Sequence, residues 1–129
     1  FPYIFNKDLE GISSSDCLRL IIKNVLDTFQ TKRYVFLAEL EFWSLANHDD
    51  DVRNKTKDLY KKLLVLFKKI IKKGINEGEF KKIDIDIAAL SIMTSIQGVI
   101  WFSIFEESNL SAEHYLNNVL EFILYGFKK

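Results

Sequence analysis

The chain has 129 residues, 48% hydrophobic and 28% charged, with eighteen basic side chains balancing eighteen acidic ones. That length supports one domain around one core, and the composition excludes a disordered chain. Zero net charge argues against a subunit that grips nucleic acid by itself, since such binding rests on neutralising phosphates, and one cysteine, Cys17, excludes an internal disulfide and a cysteine-based zinc site.

One proline and five glycines are too few for the frequent turns of an all-β fold. Five helices are expected instead. The first runs from about Ser15 to Phe29, with Ser13, Ser14, Ser15 and Asp16 as capping oxygens and Leu18, Ile21, Ile22, Val25, Leu26 and Phe29 at helical spacing. The second spans about Lys32 to Asn47. Asp49, Asp50 and Asp51 then interrupt the pattern and suit the positive end of a third helix, about Asp51 to Glu77. Its stripe is Val52, Leu59, Leu63, Leu66, Phe67, Ile70 and Ile71, and Gly78 is the expected left-handed stop. A fourth helix, capped by Asp84, extends to about Glu107. A fifth, capped by Ser111, extends to Phe127. The short connections predict neighbouring helices that pack antiparallel, an all-α, five-helix bundle-like domain. Residues 1–14 have no clear period and read as an irregular lead-in.

Charge is segregated along the chain. Residues 53–82 carry a net +8, while the segments before and after carry −4 each. The lysines of the third helix, Lys61, Lys62, Lys68, Lys69, Lys72 and Lys73, lie opposite its apolar stripe, where amphipathicity places a solvated face.

From Ile87 to Phe105 nineteen residues pass without a charge. The run approaches membrane-spanning length, but Ser91, Thr94, Ser95, Gln97, Gly98 and Ser103 dilute it, and its flanks are acidic. It reads as a soluble helix covered on most sides. A small domain covers two sides of such a helix, so a third covered side implies a partner. Ser91, Thr94, Ser95 and Gly98 fall within about 100° on the helical wheel, and a mid-helix glycine costs about 1 kcal/mol against alanine. A homodimer is expected, in which the last two helices of each copy form a four-helix bundle. Ser91, Thr94, Ser95, Gly98, Phe102, Leu116, Val119, Leu120 and Ile123 are its expected interface.

A small-molecule site is expected among helices two to four. Glu39 shares an apolar face with Val35, Phe36, Phe42, Trp43 and Ala46, and an unpaired carboxylate there is costly. Gln97 and Trp101 lie one turn apart on helix four. Polar groups within aromatic walls are what a small-molecule pocket requires. The candidate lining is Phe36, Glu39, Trp43, Tyr60, Leu64, Phe67, Met93, Gln97 and Trp101. An ionised Glu39 would prefer a cationic or hydrogen-bond-donating ligand, with the aromatics adding cation–π contacts. Enzyme motifs are missing: there is no Glu-x-x-His pair, glycine-rich phosphate loop, nucleophile elbow or H-E-x-x-H. No metal, cofactor or catalytic residue is expected, and the setting is expected to be cytoplasmic with no membrane partner.

Two passages carry a family resemblance. FLAELEFWSLANHDDDVRNKTKDLYKKL, from Phe36, and IIKKGINEGEFKKIDIDIAALSIMTSIQGV, from Ile70, resemble the C-terminal half of TetR-family transcriptional regulators, over about residues 15–127. The resemblance implies a helical effector-binding and dimerisation domain whose last two helices form the dimer bundle. It also implies DNA contact through an N-terminal helix-turn-helix, which residues 1–14 are too short to hold, so that head is expected to be absent from this chain. The alternative is a stand-alone helical protein–protein interaction module without a small-molecule site.

Overall fold

The computed structural model describes residues 11–103 and 111–129. The expected end of helix four, including Phe105 and Glu107, and residues 1–10 of the lead-in lie outside the described residues. Five helices follow in order: α1 Ser14–Thr31, α2 Arg33–Leu45, α3 Asp50–Asn76, α4 Ile85–Ser103 and α5 Ala112–Phe127. The fold is all-α, and each helix contacts the next.

Local chemistry sets most boundaries. Ser13 Oγ accepts from the Asp16 N–H, and Asp49 accepts from the N–H groups of Asp51 and Val52. Asp84 accepts from the Ile87 N–H, and Ser111 Oγ from the His114 N–H. Each oxygen satisfies backbone donors that the first helical turn leaves open. Helix α3 ends where Gly78 takes a φ of 77°, a left-handed conformation that glycine adopts without penalty. Only Lys32 separates α1 from α2. At that corner Phe29 meets Phe36 edge to face at 5.5 Å, and the Arg33 guanidinium lies 4.7 Å from the Phe29 ring centroid.

Helix α1 is the centre of the domain. It contacts α2, α3 and α5, and Cys17, Leu18, Ile21, Ile22, Val25, Leu26 and Phe29 are buried along it. Phe67, Ile70 and Ile71 of α3, Ala88, Ala89, Ile92, Ile96 and Ile100 of α4, and Leu116, Leu120, Leu124 and Phe127 of α5 complete the core.

After α3 the chain folds back on itself. The N–H groups of Glu79 and Phe80 both donate to Gly74 O, and the Phe80 ring lies on Gly74. Phe80 also meets Phe127 edge to face at 5.5 Å, and the Lys81 N–H donates to Phe127 O at 2.9 Å. The turn between α3 and α4 is thus stitched to the end of α5.

Two sequence expectations need correction. The first half of α3 is less covered than its stripe suggests: Leu59 is exposed, and Val52, Leu63 and Leu66 are half-buried. The buried side chains of α3 are concentrated in its second half, at Phe67, Ile70, Ile71 and Gly74, with Thr56 alone in the first. Helix α4 is also not covered on most sides. Its inner face is in the core, while Ile87 and Leu90 are 64% and 40% exposed and Phe102 is 76% exposed. By length and composition it is the one described helix that passes as a membrane span, but five of its residues are core.

Candidate functional site

The apolar region between α2, α3 and α4 holds a polar cluster. Glu39 and Trp43 stand one turn apart on α2, and the Trp43 indole N–H donates to Glu39 Oε1 at 3.2 Å. Gln97 of α4 reaches the same oxygen, donating through Nε2 at 3.3 Å. The carboxylate predicted to be costly on this face is therefore half-buried and paired by two neutral donors, with no cation on it among the described residues. One turn beyond Gln97, the indole nitrogen of Trp101 is buried and has no hydrogen-bond partner among the described residues. A buried donor left unpaired costs about 1–3 kcal/mol, so it requires an explanation.

The other expected pocket residues fall in three surroundings. Phe36 and Phe67 are core side chains, while Leu64, Met93 and Trp101 pack against the core from its edge. Trp43 and Tyr60 also line an open groove at the α2–α3 corner. Val35 and Phe42, expected beside Glu39, are instead exposed on the flank of α2.

The outer face of α4 and α5 forms a second region. Two grooves follow the seam between these helices. One, about 410 Å³, is lined by Thr94, Ser95, Gly98 and Phe102 together with Tyr115 and Val119. The other, about 480 Å³, is lined by Ile87 and Ser91 with Phe122, Ile123 and Gly126. Seven of the nine expected interface residues thus border the seam. Leu116 and Leu120 do not: they are 1% and 2% exposed and belong to the core. Their i, i+4 spacing continues to Leu124, with Phe127 three residues further on, and makes the inward stripe. The outward stripe is Tyr115, Val119, Phe122 and Gly126; of these Tyr115 and Val119 were singled out from sequence, but not Phe122, which is 82% exposed, nor its neighbour Tyr125, which is 80% exposed.

Gly98 has no reason within the described residues of the subunit. A Cβ placed there meets only the Phe102 ring of its own helix, at 4.0 Å. Gly74, by contrast, is required by the ring of Phe80.

Charged side chains also tie α1 to the α3–α4 turn and to α5. Glu79, not singled out from sequence, reaches back to α1: its oxygens accept from the N–H groups of Ser14 and Ser15 at 2.9 and 3.0 Å. Burial works to raise its carboxyl, but the hydrogen bonds from Ser15 and Ser14 and the nearby Lys73 outweigh it and hold the group below the ordinary value of 4.5. Arg19 forks onto both oxygens of Glu121 and also onto Asp16. These bonds hold the Arg19 proton more tightly than usual and lower the Glu121 carboxyl. Of the α3 lysines, Lys61, Lys62, Lys69 and Lys72 are exposed, while Lys68 pairs with Asp86 at 2.7 Å and Lys73 donates to Ile12 O at 2.6 Å.

The family model for the BetI-type transcriptional repressor C-terminal domain matches residues 15–124, which is most of the chain. The chain belongs to this family. It is accordingly a TetR-type regulatory domain, from the effector-binding and dimerising part of a transcriptional repressor, and the family is one of regulators and not of enzymes. No curated protein and no solved structure matches the chain. Within this BetI-type domain the matched segment includes the Glu39 cluster, the whole of α4 and most of α5.

Proposed function

We propose that this BetI-type domain binds a small, partly apolar effector at the Glu39 cluster and that two copies associate through the outer face of α4 and α5. The observation that carries the effector site is the buried indole N–H of Trp101, one turn from Gln97 and without a partner among the described residues. A ligand that accepts a hydrogen bond from Trp101 and donates one, or presents a positive charge, to Glu39 meets the needs of both groups, while the aromatic and aliphatic side chains take its apolar body.

Support for the dimer comes from Gly98 and from the exposed side chains around it. Glycine in mid-helix is unfavourable by about 1 kcal/mol, and nothing among the described residues of the subunit requires it. Close approach of a second helix supplies the requirement. Burial of Ile87, Phe102 and Phe122 against a partner removes apolar area from water at about 25 cal/mol per Å², and a two-fold axis makes the same patch serve both copies.

The reading has a mechanical consequence. The Gln97–Glu39 bond joins α4, on the dimer face, to α2 at the effector site. An effector that competes for either group changes how these helices are held. In a regulator whose DNA-binding heads must sit ~34 Å apart on a palindrome, small rotations of this kind alter operator affinity, and a coupling of about 1–3 kcal/mol is ordinary. DNA contact belongs to a helix-turn-helix domain and not to this segment.

Native mass spectrometry of the purified 129-residue chain tests both halves of the proposal. The expected result is a dimer that carries, or takes up, a small-molecule adduct lost on Trp101→Phe or Glu39→Gln. A monomer at micromolar concentration removes the dimer, and adducts indifferent to both substitutions remove the effector site.

A further inference from the structure

Trp43 serves two surroundings. Its indole N–H is turned to Glu39, while the residue also lines an open groove of about 480 Å³ where the end of α2 meets the first half of α3. Tyr60, Thr56, Asn47, Arg53 and Lys57 lie around the same groove. We propose that this groove is a second binding site, specific for a planar aromatic anion whose ring lies against Trp43 and Tyr60 and whose carboxylate is held by Arg53 and Lys57. The inference goes beyond the effector site: the two share Trp43 but hold their ligands through different charged groups.

Arg53 is exposed yet fixed in orientation. Its Nε donates to Ala46 O at 3.0 Å and its Nη2 to Asn47 O at 3.3 Å. These two bonds to the end of α2 leave the remaining guanidinium N–H groups unspent. Among the described residues no carboxylate pairs with Arg53 or Lys57. Asp49, four residues earlier, is engaged in capping α3 through the N–H groups of Asp51 and Val52. Arg53 and Lys57 are themselves four residues apart, so two like charges share one edge of the helix, an arrangement that is unfavourable by itself. An anion between them turns the repulsion into two charge-assisted hydrogen bonds.

The aromatic lining selects a ring over a compact inorganic anion. Trp43 and Tyr60 offer flat apolar surface to stack on, and the groove is large enough for a bicyclic acid. Sign distinguishes the two sites: Glu39 favours a donor or a cation, and the Arg53–Lys57 edge favours an anion.

Isothermal titration of the whole 129-residue chain with 2-naphthoate at low ionic strength tests the proposal, with 2-naphthamide as the neutral isostere. Saturable binding of the acid is expected, at least about tenfold tighter than the amide. Arg53→Gln and Lys57→Gln should each weaken it, and the double variant by about tenfold or more, the value of a hydrogen bond to a charged group. Lys69→Gln, at an exposed lysine of α3 outside the groove, should leave it unchanged, which separates this site from the basic face in general. Both cations are on the surface, so circular dichroism of the variants should match the parent. Equal affinity for acid and amide, no saturable heat, or an affinity indifferent to Arg53 and Lys57 overturns the proposal.

Discussion

Gln97 donates to Glu39 across a sequence separation of 58 residues and so ties α4 to α2 inside a largely apolar region. The same oxygen also receives the Trp43 N–H. Replacement of Gln97 by Leu leaves the carboxylate with one neutral donor. We expect a loss of about 1 kcal/mol, the net value of one such bond, measured by urea denaturation.

Trp101→Phe should act in the opposite sense. It removes a buried donor that has no partner among the described residues. The effector-free chain should be at least as stable as the parent, by up to about 1 kcal/mol, while effector uptake falls. A clear loss of stability with unchanged uptake would falsify the role assigned to this side chain.

Gly74 and Gly98 should respond differently to alanine. At position 74 the new Cβ meets the Phe80 ring, with Cε2 at 2.6 Å, and overpacking of about 1–3 kcal/mol is expected. At position 98 the subunit has room, so Gly98→Ala should raise helix stability by about 1 kcal/mol. Gly98→Phe should be tolerated in folding but shift sedimentation from dimer to monomer. A Gly98→Phe variant that still sediments as a dimer would remove this face from the interface.

Glu79 predicts a pH dependence. Its carboxyl is held below 4.5 in the folded chain, so its stabilisation is present above the unfolded-state value and is lost as pH falls through the lower folded-state value. Glu79→Gln should cost about 1–2 kcal/mol near neutral pH, since charge-assisted bonds to Ser14 and Ser15 are replaced by weaker ones. The gap between parent and variant should narrow as pH falls below the ordinary value of 4.5 and through the lower folded-state one. A gap that stays constant across the acid limb would show that the bonds to the two serines do not depend on the charge.

Much of the fold was legible because it is decided locally. Ser13, Asp49, Asp84 and Ser111 cap the helices expected of them, and Gly78 ends α3. A cap needs only its own next three residues. Features set by distant neighbours were not legible. Leu59 sits in a good helical stripe, yet it is 41% exposed. Leu116 and Leu120 satisfy any apolar pattern, and only the position of α1 decides that they face inward. The Glu79 clamp joins residues more than sixty apart, and no short motif announces it. For the candidate site, the sequence drew attention to Glu39, Trp43 and Gln97 because a carboxylate and an amide interrupt apolar faces. It did not indicate that Trp43 also borders a cationic groove, because Arg53 and Lys57 read as ordinary members of a basic run.

The stitch between the α3–α4 turn and the end of α5 bears on how the domain is handled. Phe127 and Lys128 act as a buttress and not as a loose tail: Phe80 leans on Phe127 while its own ring shelters Gly74. Trimming from Phe127 onward would unseat that ring and loosen the far end of the basic helix. A purification handle or fluorophore is better attached beyond Lys129 through a flexible spacer than substituted for the final turn.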